Sequence, residues 1–236
     1  MYLILFDIDG TLVLTGRAGL RAMNRACADI VGHDNAMAGT EFAGRTDWSI
    51  LADVMRNHDK PFDRPLLDRL SRRYAAHLAE EIQLPGTGVK DVMPGIRPLL
   101  DALQRRDDVA LGLLTGNFVE GARIKLGYFD LWKYFPWGAF GDDAANRNDL
   151  VPVAVQRARE AGIADVEPAR VIVVGDTPND VECARVAGAL PVAVATGGYT
   201  VEQLRQTGAD VVFRDLSDTQ AFLDLLSDPP SVACQP

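Results

Sequence analysis

Three cysteines, three histidines and no long apolar run leave this 236-residue chain without the means for several common architectures. Cys27, Cys183 and Cys234 are too few and too scattered for a disulfide framework or a thiolate zinc site, so reduced thiols in a cytosolic protein are expected. His33, His58 and His77 fall at unrelated spacing and are expected on surfaces or in helix packing. The longest weakly polar stretch, Val186 to Ala195, is broken by Gly188 and Pro191 and falls short of the ~18–20 residues of a membrane span. Met1 to Asp7 carries no basic leader, and its apolar run is too short for a signal peptide, so the expectation is a soluble, cytoplasmic protein. Positive charge is also scarce: 24 Lys and Arg against 33 Asp and Glu give −9. That balance argues against general nucleic-acid or anionic-membrane binding, which needs a cationic surface. It also means that attraction for any anionic substrate has to be local. No internal repeat or low-complexity tract is visible.

What is there is ordinary globular material, 47% hydrophobic, enough for one domain or a domain with an insertion. Five short runs are apolar on both faces, as strands of a covered parallel sheet must be: Leu3–Phe6, Val109–Leu114, Val171–Val174, Pro191–Ala195 and Asp210–Phe213. Amphipathic helical stripes separate most of them, among them Ile96, Leu99, Leu100 and Leu103, then Val151, Val155 and Ala158, then Val181, Ala184 and Val186. Thr200 with Gln203 fits a capping box. The alternation predicts an α/β fold: an open Rossmann-like, mostly parallel sheet with helices on both faces. Between Gly16 and Gly88 the pattern is helical throughout, too long for one crossover. This predicts an inserted all-helical domain over 16–88, with the α/β domain made of 1–15 and 89–236. Leu84-Pro85-Gly86-Thr87-Gly88 has the turn chemistry of a hinge. The proline-rich tail, Ser227 to Pro236, is expected to be a loose end.

In open α/β sheets, ligands sit beyond the carboxyl ends of the strands. Three strand ends here are followed by Asp7-Ile8-Asp9-Gly10-Thr11, by Thr115-Gly116-Asn117 and by Gly175-Asp176-Thr177-Pro178-Asn179-Asp180. Asp7 and Asp9, two apart, point the same way on an extended backbone. Two carboxylates ~4 Å apart repel by about 4 kcal/mol at an effective dielectric of ~20, and Asp176 adds a third. Such a cluster needs a proton or a cation, and hard oxygen ligands without His or Cys favour Mg²⁺. Thr115, Gly116 and Asn117 open a helix and supply backbone N–H groups and a hydroxyl suited to a phosphate.

These motifs, in this order and context, resemble the haloacid dehalogenase superfamily of hydrolases, in the branch similar to phosphoglycolate phosphatase. The resemblance runs from Leu3 to about Leu225 and identifies the helical insertion with that branch's cap. It implies that Asp7 is the nucleophile forming an aspartyl-phosphate, and that Asp9 is the general acid and then the base. It implies that Thr115 with the Gly116 amide holds the transferring phosphate. It further implies that Asp176 binds Mg²⁺ with Asp7 and the Asp9 carbonyl oxygen, and that Asp180 supports the metal indirectly. A carboxylate at Asp9, followed by Gly-Thr, looks like a phosphatase rather than a dehalogenating member. The sequence departs from the family where a lysine is expected before the third long strand: Arg147 stands there instead, and its guanidinium can clamp a phosphate. Lys125, inside the helix after Asn117, is the competing cation, or covers that helix's surface. Arg45, in Gly44-Arg45-Thr46-Asp47 at a loop-to-helix junction with Thr46 or Asp47 as N-cap, resembles the cap residue that reaches a substrate's second polar or anionic group; the bland alternative is a solvated arginine. Trp132 and Trp137 are expected in the core. The implied activity is a Mg²⁺-dependent phosphomonoester hydrolase acting on a small phosphorylated metabolite. The rivals are a phosphomutase similar to β-phosphoglucomutase and a catalytically silent binding protein on the same fold.

Overall fold

In the computed structural model, which describes residues 1–163 and 166–227, the first apolar run forms β1 (Tyr2–Phe6), with all five residues buried. Tyr2, Ile4 and Phe6 enter one hydrophobic cluster, while Leu3 and Leu5 enter another on the opposite face. A short β2 (Val13–Thr15) follows, and then three helices. The first, α1 (Ala18–Val31), begins after Arg17 at φ 64 and ends at Gly32, whose φ of 93 lets its N–H donate to the Ala28 carbonyl. The second, α2 (Asp47–Asn57), is capped by Thr46, whose hydroxyl accepts from the Ser49 N–H at 3.1 Å. The third, α3 (Arg64–Glu81), is capped by Asp63, which accepts from Leu66 N–H at 2.9 Å. Met23, Leu51, Val54, Leu70, Tyr74 and Leu78 from these helices pack in a hydrophobic cluster of their own, joined by Phe118.

The chain returns through β3 (Lys90–Val92), which pairs antiparallel with β2 so that Val13 faces Val92 and Thr15 faces Lys90. It then alternates: α4 (Ile96–Gln104), β4 (Val109–Leu114), α5 (Val119–Tyr128), β5 (Gly138–Ala139), α6 (Leu150–Glu160), β6 (Val171–Gly175), α7 (Pro178–Val186), β7 (Leu190–Val194), α8 (Val201–Gln206), β8 (Val211–Phe213) and α9 (Thr219–Asp224). The main sheet has the order β5-β4-β1-β6-β7-β8, and every pair in it is parallel. Helices cover both faces: α4 and α9 lie on the side of Ile4 and Phe6, and α6 and α7 on the side of Leu3 and Leu5.

The five strands read from the apolar runs are all present, shifted at their ends by one residue at most. Asp210 falls outside β8 and Ala195 outside β7, while Leu190 begins β7. The sequence pattern missed β2, β3 and β5, because Val-Leu-Thr, Lys-Asp-Val and Gly-Ala hold at most two consecutive apolar residues, unlike the equally short Val-Val-Phe of β8. The segment from Gly16 to Gly88 contains helix and no strand. Its two ends meet where the Gly16 N–H donates to the Val89 carbonyl at 2.8 Å and the Thr87 N–H to the Gly16 carbonyl at 3.1 Å. Trp132 and Trp137 pack, half-buried, against the clusters on opposite faces of the sheet. His33 and His58 stack edge to face, and His77 bonds Asp29 at 3.2 Å. The expected loose end lies outside the described residues from position 228 onward. No helix among the described residues is long and apolar enough to cross a membrane.

Candidate active site

The parallel sheet brings the carboxyl ends of β1, β4 and β6 side by side; Asp7 directly follows β1, Thr115-Gly116-Asn117 follows β4, and Asp176 follows β6. Asp7 continues β1, its N–H donating to the Val174 carbonyl at 2.9 Å, so the sheet itself aims its side chain. Asp176 follows β6, and Thr11 donates to it at 3.2 Å. Between them the chain must turn away sharply at Gly10, with φ 87; a Cβ there would lie 2.5 Å from an Asp176 carboxylate oxygen. Ligand atoms of Asp7, Asp176 and Asp180, all buried, lie within 4.8 Å of one another. Burial pushes the Asp7 carboxyl up to about 6; the Arg147 charge opposes this, and Asp180 and Asp9 add to it. Burial, with Asp180 and Asp7 nearby, also drives Asp176 well above the ordinary carboxylate range. Both shifts arise chiefly from burial, which disfavours the charged carboxylate.

Asp180 is committed elsewhere. One of its oxygens accepts from the Thr177 N–H at 3.0 Å and the Thr177 hydroxyl at 2.6 Å, at the start of α7. The other accepts from Arg147 Nη2. Asp7 is engaged at one oxygen by Arg147 and Asp176 at one by Thr11, whereas both oxygens of Asp180 are taken.

Two buried cations reach the cluster. Arg147 enters from the short turn before α6, and its Nη2 lies 3.1 Å from Asp7 Oδ1. Burial opposes its charge, but Asp180 and Asp7 hold it above the usual guanidinium range. Its Nε is a buried donor without a partner among the described residues. Lys125 does not cover the surface of its helix: its side chain is 5% exposed, against 41% for that of Asp9. From α5 its Nζ donates to Asp9 Oδ2 and to Asn117 Oδ1, both at 2.6 Å. Asn117 Nδ2 in turn donates to Asp9 at 2.8 Å and to the Thr115 hydroxyl at 2.8 Å. Arg147 and Lys125, weighed as competitors from the sequence, thus occupy two different places, one at Asp7 and one at Asp9. Asn117 is not the N-cap of α5, whose cap position is Phe118.

The helical segment closes onto this edge. The Asp47 N–H donates to the Gly116 carbonyl at 2.7 Å, and Asp47 Oδ2 accepts from the Phe118 N–H at 2.9 Å. Thr46 donates to the Ala145 carbonyl at 2.6 Å, and Asn179 to that of Ala43 at 3.1 Å. Thr46, not Asp47, caps α2; Asp47 instead ties the helical segment to the start of α5. Arg45 lines the cavity, but its guanidinium is engaged by Asp53 at 2.6 Å and by the carbonyls of Glu41 and Ser49. The roles of Asp47 and Lys125 were missed because both depend on the approach of segments about seventy residues apart or more. The only sequence signal was the polar Gly-Arg-Thr-Asp turn.

Between the strand ends and the helical segment lies a cavity of about 780 Å³ containing Asp7, Asp9, Asp176, Arg147 and Lys125. At the strand ends, Asp7, Asp9, Asp176 and Asp180 face two cations, a deficit that one divalent ion would balance. The donors are hard oxygens, which suit Mg²⁺.

Comparison with known proteins finds hydrolases and phosphatases. The family profile described as haloacid dehalogenase-like hydrolase matches residues 1–188. A phosphoglycolate phosphatase of Rhodospirillum rubrum is 32% identical over 93% of this chain and 90% of its own length. One from Escherichia coli O157:H7 is 30% identical over 94% of this chain and 92% of its own. Among solved structures, a hydrolase from Pseudomonas syringae superposes with a TM-score of 0.67 at 22% identity, covering 95% of this chain and 98% of that one.

Proposed function

The chain belongs to the haloacid dehalogenase-like hydrolases, and on that footing we propose that it is a Mg²⁺-dependent phosphatase of small phosphorylated metabolites, working through an aspartyl-phosphate. The observation that carries the proposal is the buried Asp7–Asp176 pair at the sheet edge, with Arg147 3.1 Å from Asp7. In this reading residues 16–88 form a cap over the α/β domain of 1–15 and 89–236. Asp7, Asp176 and the Asp9 carbonyl would hold Mg²⁺, which would supply positive charge to offset the carboxylates and the substrate's phosphoryl oxygens.

Asp7 attacks phosphorus, forming the Asp7–phosphoryl bond as the ester P–O bond breaks. Asp9 protonates the departing alkoxide. Water then attacks the phosphoryl group, Asp9 takes its proton, and Asp7 and phosphate are released. Thr115, the Gly116 and Asn117 amides and the Arg147 guanidinium bind the phosphoryl oxygens, a role supported by Arg147 lining the cavity 3.1 Å from Asp7. Lys125 and Asn117 hold Asp9 in place. Purified protein should release inorganic phosphate from phosphomonoesters only with Mg²⁺, and Asp7→Asn should lower turnover by at least about a thousandfold with the fold retained. Turnover persisting in Asp7→Asn would refute the nucleophile.

A further inference from the structure

Resting on the phosphatase reading, we infer that the alcohol half of the substrate is bulky and apolar, and that the site is not built for a second carboxylate such as that of phosphoglycolate. Beyond the phosphate-binding edge, the cavity wall contributed by the helical segment and β2 is mostly apolar: Leu14, Leu20, Met23, Met37, Phe42 and Ile50 line it, with Arg17, Arg45 and Asp47 among them. Phe42 is 51% exposed, a large side chain left in water at the mouth of a cavity. An apolar wall beside a few convergent polar groups is the usual form of a small-molecule site. At about 780 Å³ the cavity is of the size that holds a drug-sized ligand, far more than a two-carbon acid fills.

The cations tell the same story. Four line the cavity: Arg17, Arg45, Lys125 and Arg147. Lys125 is spent on Asp9, Arg45 on Asp53, and Arg147 on Asp7, Asp180 and, in the phosphatase reading, the phosphoryl group itself. Burying a substrate carboxylate against the apolar wall would leave it unpaired, which is costly. Arg17 alone has no ion pair among the described residues, but it is exposed, where a charge pair adds little.

The test is a series of n-alkyl phosphates, from ethyl to hexyl, assayed beside phosphoglycolate with Mg²⁺. The alcohols leave with similar ease, so the slope reports burial of the chain. The expected kcat/KM rises about threefold per methylene, with hexyl phosphate well above phosphoglycolate. Phe42→Ser, at an exposed position, should flatten that slope by lowering the hexyl rate more than the ethyl rate. A flat series overturns the inference, as does phosphoglycolate outpacing hexyl phosphate and losing that lead in Arg17→Ala. Calorimetric binding of hexylphosphonate and phosphonoacetate separates this inference from the phosphatase reading. If no ester is hydrolysed yet hexylphosphonate binds at least tenfold tighter, the catalytic reading fails and the apolar site stands; tighter phosphonoacetate binding overturns the apolar site.

Discussion

Asp47 shows how a single buried carboxylate can couple two segments. Burial pushes it up to about 7, although Lys125 and the Phe118 amide pull the other way. The folded protein therefore keeps this proton across a range, from the ordinary 3.8 to about 7, in which the unfolded chain has released it. Stability from the retained proton is full below that range and lost as pH rises through it. Asp47→Asn keeps an acceptor for the Phe118 N–H and cannot ionise. Its stability relative to the wild type should climb between pH ~4 and ~7 and level off above, with a gain on the order of 2–4 kcal/mol. Urea denaturation of both proteins across that range tests this; a constant difference would show that Asp47 does not carry the burden. Lys125 has the opposite character: burial alone would discharge it, and Asp9 with its neighbours more than offsets that, so it remains an ammonium.

Between elements, the decisive contact is α2 against the turn from β4 to α5. Gly116 sits where a Cβ would run into the carbonyl of Arg45, so the two backbones touch without an intervening side chain. Gly116→Ala has no room there, and the helical segment must lift from the strand ends. The expected result is a fall in kcat/KM of at least about tenfold with little change in the far-UV spectrum, because the site loses its cover while the sheet keeps its core. Full activity in Gly116→Ala would mean that the covered arrangement is not needed for turnover. The same contact lets Phe118 leave the sheet's cores and join the cluster of α1, α2 and α3.

For the molecule as a whole, the charge of −9 is a poor guide to what it binds. The relevant balance is local, acids outnumbering cations at the strand ends, and it predicts that a divalent ion stabilises the fold. At Mg²⁺ a hundredfold above its Kd, the gain of ~2.7 kcal/mol should raise Tm by about 5–10 °C. Chelation should reverse the rise, and Asp176→Asn should abolish it. A Tm that responds no more to Mg²⁺ than to Na⁺ at equal ionic strength would argue against the metal site.

Long patterns were legible in the chain. Both-face apolar runs such as Leu3–Phe6 specify covered strands, and helical stripes from Leu20 to Leu78 specify helices with a cluster of their own, because burial repeats with the period of the backbone. The placement of Asp7, Asp9 and Asp176 was legible too, since a parallel sheet aligns its strand ends, Asp7 and Asp176 follow their strands directly, and Asp9 comes two residues after Asp7. Short strands such as β5 were not, nor was the pairing of Lys125 with Asp9 or of Asp47 with the Phe118 amide. Arg45 looked available from its turn, yet Asp53, two turns along α2, takes its guanidinium. Sequence alone determined the fold and the gathering of acids at adjacent strand ends, because those follow from local periodicity and topology. Tertiary structure alone decided which cations are free, which are paired, and what the cavity wall is made of, because charge pairing and burial belong to the space between segments.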